Sequence, residues 1–320
     1  MLETGTFTPA DEGRHPSDPG DWSWSESWYF SWIDLDGGPA GFFRLGLLPN
    51  QRRAMLWCFV HVDGAWHGVD ESRLTLDHVD LADGPAYDQW GLRFGWQPEP
   101  PLLGAHFTCA GTFLTRSGQG AGAYVPVSID LVCASTSDPV AAAPAADTVY
   151  PTGRFEQSMT ASGTVSVGGQ RWQVRAGAQR DRSWGPREWR VPFAIGDLQG
   201  EDRQLYFVGS PLHGRGSGYL RERSGELRRL RWVDGTVGYD DEANTLAPGV
   251  LRFEAADGAR IEAALAPVTP SVCFDTAHTC REPEQWPYWR TLVEARVTGW
   301  EGTCRGWFEA SRYEAPQGAE

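Results

Sequence analysis

The chain contains no lysine. All 28 of its basic residues are arginines, so chemistry that needs a lysine ε-amine has no residue to carry it, whether a Schiff base to a carbonyl or pyridoxal phosphate or the phosphate grip of a P-loop. Positive charge is also outnumbered. The 42 acidic residues leave a net charge of -14, and no Arg-rich run exists to neutralise nucleic-acid phosphates or an anionic membrane, so neither partner is expected. Long hydrophobic runs are missing too. No stretch approaches the length of a membrane span, and residues 1–20 hold no apolar core of signal-peptide length. A cytoplasmic protein with no integral membrane segment is expected.

Cysteine is sparse, with six in 320 residues and no CxxC pair, which reads as reduced, mostly buried small hydrophobes. Cys273, His278 and Cys280 fit no standard zinc spacing, so they read as a loop with stray thiols and no metal is expected. Two further motif classes are absent. No strand leads into a G-x-G-x-x-G or Walker loop, and Ser183 follows an arginine rather than sitting in a G-x-S-x-G elbow, so nucleotide-dependent and serine-hydrolase chemistry are set aside.

What is abundant is tryptophan. The chain has 16, and aromatic residues make up 12% of it; they fill cores, and they also line apolar pockets that take a ring or a polyene. Across 22–32, Trp22, Trp24, Glu26, Trp28, Phe30 and Trp32 alternate with small or polar residues, which is the period of a strand. Glu26 therefore shares the tryptophan-rich face. Desolvation there would raise its pKa and favour a protonated acid, whereas a salt bridge to an arginine would hold it ionised.

Short β runs at 41–47, 54–61, 91–96, 105–114 and 125–132 follow, separated by turn signals such as Asp36-Gly37-Gly38-Pro39 and Asp63-Gly64. The pattern resumes in the second half at 204–209, 227–233, 250–255, 261–266 and 291–298. With scarcely any helical periodicity, this predicts an all-β protein of antiparallel sandwich or barrel type. The sharpest shift in composition is the Ala- and Pro-rich stretch at 139–147, which places a domain boundary there. The expected organisation is a flexible arm over 1–20, a first barrel over 21–148 and a second over 149–320.

The densest chemistry lies in Arg180-Asp181-Arg182-Ser183-Trp184-Gly185-Pro186-Arg187-Glu188-Trp189-Arg190. Its Gly-Pro step predicts a loop at the end of a strand over 172–178, early in the second barrel. So many charges beside indoles are either solvated or held in a paired cluster of the kind that lines sites.

Four stretches together carry a resemblance to a known group: Glu26-Ser27-Trp28-Tyr29-Phe30, Arg44-Leu45-Gly46-Leu47-Leu48-Pro49-Asn50, Glu156-Gln157-Ser158, and above all Arg180 through Arg187. They resemble the bacterial hydroxyneurosporene synthase-like proteins, relatives of the carotenoid 1,2-hydratases. The resemblance runs from about Trp22 to Tyr313 and implies two tandem antiparallel lipocalin-like (calycin) β-barrels. It also implies no metal or organic cofactor, and an activity of the hydratase, isomerase or cyclase class.

Protonating the carbon of an alkene or polyene requires a strong acid in an apolar pocket. Asp181 is the first candidate, with Glu26 or Glu156 as the acid if Asp181 instead orients a guanidinium. Trp24, Trp28, Trp184 and Trp189 could stabilise a carbocation, and Tyr29 joins them in lining the site. Arg182 and Arg187 could bind a substrate carbonyl or carboxylate. His106 is a candidate base, although a lone histidine in a strand is more often structural. The implied partner is a hydrophobic small molecule, isoprenoid, steroid or polyketide-like. Two other roles fit the same residues, a non-catalytic carrier with a Trp-lined cavity and an Arg-Asp-Trp clasp between barrels.

Overall fold

In the computed structural model, residues 7–141, 153–187, 193–210, 215–222, 224–240, 242, 245–275 and 287–311 are described. They fall into two compact units, residues up to 187 in the first and those from 193 onward in the second.

The first unit opens with a short 3-10 turn, Pro9–Glu12, followed by four long strands: β1 (Trp24–Asp34), β2 (Ala40–Leu48), β3 (Arg53–Val62) and β4 (Ala65–Thr75). Three short strands come next, β5 (Val79–Asp80), β6 (Ala86–Gln89) and β7 (Leu92–Pro98). Then come β8 (Gly104–Ser117), β9 (Tyr124–Ser135), β10 (Val140–Ala141), β11 (Gly153–Val167) and β12 (Gln170–Pro186). The ladder β11–β12–β1–β2–β3–β4–β8–β9 returns from β9 to β11, so these strands close a barrel and leave no free edge among themselves. Each of these pairings is antiparallel.

Alternation decides what fills this barrel. Trp28, Phe30 and Trp32 of β1 point inward and meet Phe43, Phe94, Trp96 and Phe107 in one apolar cluster. Phe43 and Phe107 stack at 4.5 Å, and Phe30 lies 5.1 Å from Trp96. The aromatic run therefore closes on itself as core. β2 is buried along its whole length and β1 nearly so, which means that this part of the wall is covered on its outer face as well.

Three expectations are corrected. β11 and β12 are hydrogen-bonded into the first barrel, so Glu156 and the stretch from Arg180 to Arg187 belong to the first unit, not the second. The stretch is also strand rather than loop as far as Pro186. Gly185 takes the rung with a φ of 122°, and proline occupies the last residue of the strand, where a missing N–H breaks no ladder interior. Residues 7–20, expected as an arm, carry a buried Glu12.

The second unit comprises β13 (Ala194–Gln199), β14 (Gln204–Ser210), β15 (Arg215–Arg221), β16 (Leu227–Asp240), β17 (Thr245–Ala255), β18 (Arg260–Pro267), β19 (Val272–Asp275), β20 (Pro287–Val297) and β21 (Cys304–Ser311). The order β13–β14–β15–β16–β17–β18–β20–β21 also closes, through β21 onto β13, while β19 sits beside β20. Its interior holds Phe207, Trp232, Phe253 and Phe308 with aliphatic neighbours. The expected all-β pair of lipocalin-like barrels is what the chain forms.

Candidate functional site

Along β12 the even-numbered residues face the barrel interior: Val174, Ala176 and Ala178 join the core, and the same face continues through Arg180, Arg182 and Trp184. Directly across on β1 lie Phe30, Trp28 and Glu26, and across on β11 lie Gln157 and Phe155. Two buried guanidiniums at the end of an apolar barrel need partners, because an unpaired charge there would cost several kcal/mol, on the order of 3–5. The N-terminal segment supplies them. Glu12 meets Arg180 Nη1 at 2.8 Å and accepts from the Leu102 N–H at 2.8 Å, while Arg180 Nε donates to Gln157 at 2.7 Å. Arg182 pairs with Glu26 at 2.8 Å and donates to the carbonyls of Ser27 and Gly13.

The indoles here are already occupied. Arg182 lies 3.8 Å above the Trp28 ring, whose Nε1 donates to the Glu12 carbonyl, and His15 stacks on Trp184 at 3.8 Å. Their cation partners are the protein's own side chains rather than a substrate carbocation. Glu26 also departs from the raised-pKa expectation. Burial pushes its pKa up, but hydrogen bonds from His15 and the charge and hydrogen bond of Arg182 outweigh burial and hold it below the usual carboxylate range. Glu26 is a counter-ion here and does not hold a proton.

The odd-numbered residues of β12 face outward. Asp181 lies in one cross-strand row with Glu156 of β11 on one side and Tyr29 of β1 on the other, and the row continues to Arg44 and Trp57. Arg154 reaches both carboxylates, Glu156 at 2.6 Å and Asp181 at 3.1 Å, and Gln179 donates to Glu156 at 2.8 Å. Below this group the Ser27 and Ser183 hydroxyls bond at 2.8 Å. Asp181 and its flanking arginines therefore serve opposite faces of one strand, and all three carboxylates named from the sequence sit against a guanidinium.

The remaining residues scatter. Trp24 begins β1, half-buried, and Arg187 donates its backbone N–H to Ser23. His106 is away from both groups: it pairs with Asp130 at 2.8 Å on the exposed side of β8, with 42% of its side chain open to solvent, so it is no base for this site. Trp189, His278 and Cys280 lie outside the described residues, and Cys273 is exposed. Among the described residues no cluster of three or more His, Cys, Asp or Glu is arranged to hold a metal ion.

Asp197 was missed by the sequence reading. β13 alternates Ala194, Gly196 and Leu198 against Ile195, Asp197 and Gln199, a pattern that ordinarily marks an outer, solvated face. In the structure that face is buried, and Asp197 is only 5% exposed. Its Oδ1 accepts from Gln199 and Gln204 at 2.7 Å each, and its Oδ2 accepts from Gln199 at 3.0 Å. Trp307 and Tyr206 flank it across the strands, and Tyr206 stacks on Tyr219 at 5.3 Å.

Comparison of the buried carboxylates separates Asp197 from the rest. Glu12, Glu26, Glu156 and Glu309 each have an arginine within 4 Å, and Asp34 accepts backbone N–H groups from Asp36, Gly38 and Arg175. Among the described residues Asp197 is held instead by side-chain amides, with the charge of Arg221 also acting on it. Burial drives its pKa up, the two amides and the charge of Arg221 pull it partly back, and it comes to about 6.

Two closed eight-stranded antiparallel barrels in tandem, each turning a buried polar face outward, define the class of protein. Within that class the chain belongs to the family of the domain of unknown function DUF7064, whose model matches residues 8–314. None of the curated proteins matches it. Among solved structures it is similar to an AttH-type protein of Nitrosomonas europaea, with 14% identity over 98% of this chain and 100% of that one and a TM-score of 0.58. It is also similar to kievitone hydratase of Nectria haematococca, with 13% identity, 96% and 95% coverage and a TM-score of 0.55. CghA matches at 14% identity, 100% and 99% coverage and a TM-score of 0.51. At these identities the likeness is one of fold.

Proposed function

We propose that the chain is a cofactor-independent enzyme that transfers a proton to or from a hydrophobic small molecule, in a hydration, isomerisation or cyclisation. The observation that carries this reading is Asp197, a carboxyl buried beside Trp307 and Tyr206 and held by amides instead of an arginine. A carboxyl that titrates near 6 exchanges protons readily at neutral pH, and fixed amide donors keep it oriented while it does so. Tyr206, Tyr219 and Trp307 favour a flat, unsaturated ligand beside it. Asp181 and Glu156 take a different part in this reading: they hold Arg154 in place and do not donate the proton. The resemblance to hydroxyneurosporene synthase-like proteins, and the fold shared with a protein named as a hydratase, agree with the reaction class.

A non-catalytic carrier would hold its ligand inside a barrel. Both barrel interiors are instead occupied by contacting rings and aliphatic side chains, which leaves the catalytic reading preferred. The test is deuterium incorporation from D2O into unsaturated ring compounds, beginning with any small molecule that copurifies with the protein, followed by mass spectrometry. Wild-type protein should introduce solvent deuterium, and faster as pH falls toward about 6 if the neutral acid is the active form. Asp197→Asn should bind the compound yet exchange at the background rate. Exchange by Asp197→Asn at the wild-type rate, or a copurifying ligand that never acquires deuterium, would overturn the proposal.

A further inference from the structure

A hydration, an isomerisation and a cyclisation share one proton balance. Each puts a proton on a carbon and takes one away, from a second carbon or from the water that adds, so the product carries no extra charge. Asp197 supplies only the first half. The second needs a proton acceptor within reach of the same ligand.

The second unit holds one further buried carboxylate among its described residues, Glu309 of β21. Register places it beside Asp197. β13 and β21 are antiparallel neighbours, with Asp197 opposite Trp307 and Ile195 opposite Glu309. Ala194 and Leu198 of β13 and Phe308 and Ala310 of β21 belong to the barrel core, so Asp197, Trp307 and Glu309 share the outer face. Asp197 and Glu309 are therefore diagonal neighbours, with Cα atoms about 7–8 Å apart. A separation of this order lets two carboxyl groups act on one small molecule from different sides.

Their surroundings differ as an acid and a base require. Asp197 is held by the amides of Gln199 and Gln204, and burial favours its neutral form. Glu309 instead faces Arg290, its direct partner on β20, whose Nη1 lies 3.4 Å from Glu309 Oε2. A guanidinium there favours the charged carboxylate, which is the form that accepts a proton. Arg290 is itself buried and lies over the Trp307 ring, 4.8 Å from its centroid. Paired environments of opposite kind are what divide two carboxyl groups into acid and base.

We propose that Glu309 is the proton acceptor that completes the reaction begun by Asp197, with Arg290 as its positioning residue. The ligand's π pair takes the Asp197 proton and forms a C–H bond. In an isomerisation or cyclisation the pair of a second C–H bond then forms the new double bond, and its proton passes to Glu309. In a hydration the water oxygen bonds to carbon and its proton passes to Glu309. Exchange with solvent returns both carboxyl groups to their starting forms. This inference rests on the proton transfer assigned to Asp197.

The test measures deuterium incorporation from D2O by the full-length protein into the same unsaturated ring compounds. Glu309→Gln keeps the size of the side chain without its basicity, and kcat should fall at least about a hundredfold while KM stays within about twofold. Glu309→Asp keeps a charge for Arg290 but draws it back by one methylene, and kcat should fall about tenfold or more at unchanged KM. A role in folding alone would lower the denaturation midpoint and leave kcat of the folded protein as it was. Undiminished kcat in folded Glu309→Gln, or in Glu309→Asp should the first variant not fold, would overturn this inference and leave the role of Asp197 standing. A wild-type protein that labels no compound would overturn both.

Discussion

At the scale of single residues, Asp197 converts a geometric observation into a measurable one. Burial raises its pKa to about 6 in the folded protein from the ordinary aspartate value of 3.8, so the fold favours the neutral acid. That contribution is complete below 3.8 and is lost as pH rises through 6. For a fully buried group the difference amounts to on the order of 3 kcal/mol. Asp197→Asn cannot ionise, so its stability relative to wild type should improve by up to about that amount between about pH 4 and about pH 7, read from urea unfolding at both ends. A pH-independent offset between variant and wild type would mean that Asp197 is ionised throughout. Glu26 makes the converse point. It shares its strand face with tryptophans just as the alternation indicates, yet its charge is retained because Arg182 and His15 reach it. The side of the strand was legible in the local sequence, but the protonation state was not.

At the scale of the element, β12 does three jobs by parity alone. Its first half gives Val174, Ala176 and Ala178 to the core, its second half sends Arg180 and Arg182 inward to the N-terminal segment, and Asp181 between them points outward to Arg154. One residue of register would exchange these roles, so the pairing with β1 specifies the site as much as the side chains do. The Gly185-Pro186 step misled because proline's bar on strands applies to the interior of a ladder, and here it meets Trp24 on the final rung. β2 shows how tightly the interior is filled. A Cβ on Gly41 would run into the Trp32 ring and lie 2.7 Å from the Phe59 carbonyl oxygen. Gly41→Ala should therefore destabilise the protein by roughly 1–3 kcal/mol, seen as a lower denaturation midpoint with an unchanged slope. A neutral substitution there would mean that the Trp32 ring has room to move.

At the scale of the whole molecule, the closed and filled barrels predict the reactivity of the thiols. Cys58, Cys109, Cys133 and Cys304 are buried, whereas Cys273 is exposed. Burial pushes the Cys58 and Cys133 thiols well up and the Cys304 thiol to about 12, far from the thiolate form that reacts. A thiol reagent followed by peptide mass mapping should label Cys273 in the native protein and these four only after denaturation. Native labelling of two or more of the four would show that the interiors are open, and would revive the carrier reading.

The sequence by itself determined the backbone class and the barrel cores. A period of two is a local property, and an aromatic run at that period reads as one face of a strand, so an all-β protein of antiparallel sandwich or barrel type followed from it, while the pair of tandem barrels was what the family resemblance implied. Composition alone likewise removed lysine chemistry. Tertiary structure decided which barrel owns the arginine-rich strand and which buried carboxylate is held by side-chain amides. Glu12 and Arg180 are 168 residues apart, and their meeting depends on closure of the ring that pairs β12 with β1. Asp197 reads as an ordinary outward-facing acid on a short strand. Its removal from water, and the amides that hold it where the other site carboxylates have an arginine, depend on what surrounds the face, and local alternation carries no information about that.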